Sequence, residues 1–126
     1  MALNTLRILV VEDDPDIREV FGVLSRAEGA EVVAVGTGRD AIDACHARQF
    51  DVLLSDLGLP DIPGDVLIRQ ILTTCRPRPY VIVITGFGEP FISRARQAGA
   101  DVVLTKPVEW TRVLDFVQHR RLPASA

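Results

Sequence analysis

The sequence predicts an α/β domain of the (βα)5 kind: a parallel five-stranded sheet with helices on both faces. Three observations lead there. Strand-like and helix-like segments alternate along the chain, and parallel strands need helical crossovers of that sort. The first strand segment, Arg7-Ile-Leu-Val-Val11, is continuously apolar and β-branched, as suits a strand covered on both faces. Polar residues cluster where the strand segments end, which is where open parallel sheets bind ligands.

Each element follows from local signals. After the first strand, Pro15 opens a helix with Asp14 as its N-cap. Ile17, Val20, Phe21 and Leu24 recur at helical spacing, and Gly29 is the stop. Glu31 to Val35 reads as a second, shorter strand. Gly38 to Gln49 carries Ala41, Ile42, Ala44 and Cys45 on one helical face. Asp51 to Ser55 is a third strand, and Leu57 to Gly64 is a Gly- and Pro-rich loop. Asp65 to Cys75 is helical in pattern. Arg76-Pro-Arg-Pro79 breaks the chain before a fourth strand, Tyr80 to Ile84. The loop Gly86-Phe-Gly-Glu-Pro90 precedes a helix ending near Gly99. Asp101 to Leu104 is a fifth strand, and Trp110, Val113, Leu114, Phe116 and Val117 mark a last helix.

Bulk properties narrow the function. The 126 residues suit one domain, 1–126, with a core over about 6–120 and a tail or linker stub at 121–126. Apolar residues are 48% and charged residues 25%, as in a globular chain. A net charge of −3 argues against direct nucleic-acid binding. The basic end at His119-Arg-Arg121 is too short for such a patch. No apolar run approaches a membrane span and no signal peptide is visible, so no membrane role is expected. Cys45 and Cys75 read as buried free thiols, and the expected location is the cytoplasm. His46 and His119 read as solvated, and Trp110 as packing the last helix onto the sheet or joining a contact face.

The strand ends pose a question. Glu12, Asp13 and Asp14 stand side by side, with Asp56 after the third strand, Thr85 ending the fourth and Lys106 beyond the fifth. At about 4 Å, each close pair of like charges costs on the order of 4 kcal/mol near a protein surface. A hard cation with oxygen ligands and water, Mg2+ above all, would neutralise them.

With those residues in view, the chain resembles the receiver domains of two-component response regulators. The motifs are ILVVEDD at 8–14, DVLLSDLGLPDIPG at 51–64, VIVITG at 81–86 and LTKP at 104–107. No single one is decisive, but four in order at the correct strand ends are specific. The resemblance implies a flavodoxin-like three-layer fold with strand order 2-1-3-4-5. It implies a phosphoacceptor that takes a phosphoryl group from a histidine kinase or phosphotransfer protein. Asp56 matches the phosphoacceptor, whose carboxylate would form an acyl phosphate. Alone, Asp56 would be an ordinary turn aspartate. Glu12, Asp13, Asp56 and the backbone carbonyl of Gly58 match the Mg2+ ligands, with Glu12 acting through water. Lys106 matches the lysine that pairs with the acids at rest and with phosphate after transfer. Pro107 matches a proline often preceded by a cis peptide that would aim Lys106. Thr85 matches the switch hydroxyl.

There are departures from the family pattern. Val103 stands where the family has its aromatic switch, so rotation of a Tyr or Phe into the space left by the threonine is unavailable. The span from Thr85 to Lys106 is slightly short. Phe87 and Gly58 match positions that modulate dephosphorylation, and a bulky Phe87 implies slow self-dephosphorylation.

Three readings compete. The leading one is a phosphorylation-controlled switch, not an enzyme acting on an external substrate. It would work through a downstream protein or a fused output domain, and the TGFG loop and KPV ending resemble receivers of hybrid sensor kinases. The second is a phosphatase of the haloacid dehalogenase type. That class wants a second aspartate two residues after the nucleophile, where this chain has Gly58. The third is a degenerate receiver used as a phosphorylation-independent binding module, which Val103 favours. Family analogy places partner choice on the first helix and a homodimer contact on the last.

Overall fold

The computed structural model describes residues 1–120, so the expected tail at 121–126, with Arg121, lies outside the described residues. The strands are β1 (Arg7–Val11), β2 (Glu31–Val35), β3 (Val52–Ser55), β4 (Tyr80–Thr85) and β5 (Val102–Thr105). The helices between and after them are α1 (Pro15–Ala27), α2 (Gly38–Ala47), α3 (Gly64–Thr74), α4 (Phe91–Ala98) and α5 (Trp110–Gln118). All strand pairs are parallel and the order is β2-β1-β3-β4-β5, the flavodoxin-like arrangement.

Period-two alternation divides the core. Leu9, Val11, Leu53, Val81 and Val83 face one way and pack with Ala41 of α2, Leu67, Ile68 and Ile71 of α3, and Ala95 and Ala98 of α4. Ile8, Val10, Val52, Leu54, Ile82 and Ile84 face the other way and meet Val113 and Val117 of α5. Phe21 of α1 packs against that second layer. Its ring lies 6.3 Å from that of Trp110, so Trp110 joins the two helices on this face.

The local signals act as their chemistry requires. The Asp14 carboxylate accepts from the backbone N–H groups of Asp16 and Ile17 and so caps α1, with Pro15 at the first helical position. Gly99 ends α4 with φ of 118°, a left-handed conformation that glycine adopts without strain.

Several expectations need correction. Val20 does not face the core: it is 53% exposed, on an outer strip with Asp16, Glu19 and Val23. The inward stripe of α1 instead includes buried Gly22 and Ser25. A search for large apolar residues overlooks such small buried positions. Helix α2 ends at Ala47 and not Gln49, because Arg48 is already extended (φ −158°, ψ 163°) and leads Phe50 into the core. Cys75 is buried just past the end of α3, while Cys45 is only half-buried, and both are free. Ahead of β1, Leu3 is fully buried and its N–H donates to the Glu28 carbonyl.

Candidate functional site

The chain leaves β1 toward β2 on one side and returns to β3 on the other. That reversal opens a crevice beyond the carboxyl ends of β1 and β3. The sheet ladder continues into it. The Glu12 N–H donates to the Val35 carbonyl and the Asp56 N–H to the Val11 carbonyl, each at 3.0 Å. Backbone pairing thus places Glu12 and Asp56 at the mouth of the crevice. Carboxylate oxygens of Glu12, Asp13 and Asp56 lie within 4.8 Å of one another.

Lys106 closes the group from β5. Its Nζ donates to Asp56 Oδ2 at 2.9 Å and to Glu12 Oε1 at 3.0 Å. The peptide between Lys106 and Pro107 is cis, and the Lys106 N–H donates to the Thr85 carbonyl at 2.8 Å. The other Asp56 oxygen, Oδ1, accepts from the Leu57 N–H at 2.6 Å. Asp14 stays outside the group as the α1 cap.

The electrostatics follow from position. Glu12 is 4% exposed. Burial pushes its carboxyl above the usual carboxylate range, and the charge on Asp56 adds to the shift, against the opposing hydrogen bond from Lys106. For Lys106 burial acts downward, yet hydrogen bonds to Asp56 and Glu12 carry its ammonium above the ordinary value. Three carboxylates with one ammonium leave an excess of negative charge. The donors are hard oxygens, and Asp13 is exposed, leaving a path for water. That donor set, Glu12, Asp13 and Asp56, fits Mg2+.

Thr85 is fully buried, and its Oγ1 accepts from the Phe87 N–H at 3.0 Å. Phe87 reaches over the β3–α3 loop: a Cβ placed on Gly58 would lie 3.2 Å from its ring. The ring also packs on Phe91, with centroids 5.1 Å apart. Val103 is half-buried and packs with the α2–α3–α4 layer.

Sequence reasoning passed over Arg18. From α1 its guanidinium donates to the Glu12 carbonyl at 2.9 Å. Gly36 makes room for it, since a Cβ there would lie 2.5 Å from Arg18 Nη1. No local pattern marks that contact, because Gly36 and Arg18 meet only when β2 pairs with β1. Asp61 was also passed over. His46 and His119 are exposed, and the His119 ring lies 3.0 Å from Asp115.

Comparison with known proteins agrees with this geometry. Residues 8–118 match the family model of the response regulator receiver domain. A response regulator receiver protein of Anaeromyxobacter sp. is 32% identical over 87% of this chain and 46% of its own length. A protein-glutamate methylesterase/protein-glutamine glutaminase of Rhodopseudomonas palustris is 33% identical over 89% of this chain and 32% of its own. The chain thus spans less than half the length of these curated relatives. Among solved structures, the receiver domain of a Pseudomonas aeruginosa PAO1 sensor histidine kinase is 28% identical with a TM-score of 0.81. The match covers 90% of this chain and 94% of that one, and the neighbour has magnesium coordinated in its active site cleft. Fold, acidic crevice and relatives converge, and the chain belongs to the response regulator receiver domains of two-component signalling.

Proposed function

We propose that this domain accepts a phosphoryl group on Asp56 from a histidine kinase or phosphotransfer protein, in a Mg2+-dependent step, and that the product alters a protein-contact surface. The observation that carries the reading is Lys106 bridging Glu12 and Asp56 across the crevice. A lone pair on an Asp56 carboxylate oxygen would attack phosphorus and form the new O–P bond. The bond from phosphorus to the donor breaks, and the donor leaves with that electron pair. Mg2+ held by Asp13, Asp56, the Gly58 carbonyl and, through water, Glu12 would offset the charge that gathers during transfer. Lys106 would then follow the charge from the carboxylate to a phosphoryl oxygen, as a compact ammonium on a flexible stem can. Thr85 Oγ1, which accepts a hydrogen bond at rest, still has a proton to donate to the phosphoryl group.

Phe87 over Gly58 would hinder attack of water on the acyl phosphate, so self-dephosphorylation is slow. The exposed Val20 and Val23 on α1 give a kinase or phosphotransfer protein an apolar contact beside the crevice. Output passes to a downstream protein or a fused domain.

A second reading, a phosphorylation-independent binding module, is favoured by Val103. Packed on the helix side of β5, it leaves Thr85 without an aromatic partner to move.

Intact-protein mass after incubation with Mg2+ and acetyl phosphate separates the two. The expected result is a phosphoryl adduct that disappears in Asp56→Asn and in the absence of metal. A protein that binds Mg2+ yet gains no adduct from acetyl phosphate or from kinase supports the binding module.

A further inference from the structure

The loop carrying Gly58 is fastened to a helix that has no part in the crevice. Asp61 Oδ1 accepts from the Gly38 N–H at 2.9 Å, and Oδ2 from the Arg39 N–H at 2.9 Å. These are the first two N–H groups of α2, which a helix cannot satisfy internally. The third, on Asp40, goes to the local cap Thr37 Oγ1 at 3.1 Å. Oδ1 also accepts from its neighbour Ile62 N–H at 3.0 Å, which folds the loop around the carboxylate. The junction is close-packed, for a Cβ on Gly38 would fall 2.5 Å from Ile62 Cδ1. At its far end the same loop is pinned by the Gly64 N–H, which donates to the Leu57 carbonyl at 3.2 Å. Gly58 therefore lies in a short loop held at both ends, with Asp61 supplying the only tie to α2 made by a charged side chain among the described residues.

We infer that Asp61 is a positioning residue for the cation site: by anchoring the β3–α3 loop on the N-terminus of α2, it holds the Gly58 carbonyl at the place a divalent cation needs. The inference rests on the Mg2+ reading of the crevice. A carbonyl ligand has no side chain to reorient, so its position is that of its loop. Mg2+ demands near-ideal octahedral geometry and tolerates little displacement of a ligand. Residues that orient ligands without touching the metal commonly govern affinity as the ligands do.

The test is a MgCl2 titration followed at the Gly58 backbone amide by NMR, with thermal melting alongside. Asp61→Ala weakens Mg2+ binding by about tenfold. Thr37→Ala removes a bond at the same helix end without touching the loop, lowers the melting temperature, and leaves Mg2+ affinity within about twofold. Asp61→Asn retains one good acceptor and falls between, and it serves should the alanine variant fail to fold. Equal losses in Asp61→Ala and Thr37→Ala, or wild-type affinity in the Asp61 variants, overturn the positioning role alone. A wild-type protein that does not bind Mg2+ overturns the cation site and the inference with it.

Discussion

Two Gly- and Pro-rich loops flank Asp56, and they are built on opposite principles. The β3–α3 loop, from Leu57 to Pro63, is buried at Leu57 and half-buried at Gly58, Leu59 and Ile62. A Cβ on Gly64 would lie 2.5 Å from Leu57 Cα and 2.9 Å from its carbonyl oxygen, so that glycine is demanded by backbone contact. The β4–α4 loop, from Gly86 to Pro90, is exposed throughout, and a Cβ on Gly86 or Gly88 would meet nothing within 4 Å. Each loop contains a carboxylate held below its ordinary pKa by hydrogen bonds. Asp61 spends those bonds on a distant helix, through the N–H groups of Arg39 and Gly38. Glu89 accepts its bonds from Ser93, in the first turn of the helix that follows. Similar composition thus yields a fixed platform on one side of Asp56 and a lightly held flap on the other.

The contrast can be broken most sharply by adding a methyl group. Gly64→Ala forces backbone against backbone and should cost about 1–3 kcal/mol in denaturant unfolding. A neutral result would mean that the platform is looser than its packing implies. In the flap, Phe87→Ala uncovers Gly58 and should speed loss of the acyl phosphate, read as the decay of phosphorylated protein after donor removal. An unchanged decay rate would remove the shielding role. Acid separates the two ties more gently. Because both carboxyls are lowered in the folded state, the stability they contribute is present above the unfolded carboxylate pKa of about 4 and is lost as pH falls through their folded values. In an NMR titration the Gly38 and Arg39 amides should report Asp61, and the Ser93 amide Glu89, each with a midpoint below the ordinary range. A normal midpoint at Gly38 and Arg39 would show that the tie to α2 is weak in solution. The smallest effect belongs to Gly86→Ala and Gly88→Ala, which should change stability by no more than about 0.5 kcal/mol.

Much of this was legible in the sequence because the signals are local. The apolar run of β1, the Asp14–Pro15 helix start and the strand-end acids announce themselves within a few residues, and the sheet then carries Glu12 and Asp56 to one crevice. Val20 misled because helical spacing identifies a stripe but not its centre, and the centre here is set by buried Gly22 and Ser25. Arg18 was invisible for another reason: its value lies in reaching the Glu12 carbonyl past Gly36, eighteen positions away in sequence, and a lone arginine on a helix carries no mark of that.

The elements, their order and the residue types at the strand ends are legible locally, because hydrophobic period, caps and breakers act over one or two turns of chain. Tertiary structure alone decided which loop is platform and which is flap. Asp61 and Gly38 lie far apart in the chain, and Gly64 is constrained by the backbone of Leu57 and not by its own conformation. Whether a glycine is required, or a carboxylate is an anchor, depends on what packs against it, and that is fixed only when the helices settle on the sheet.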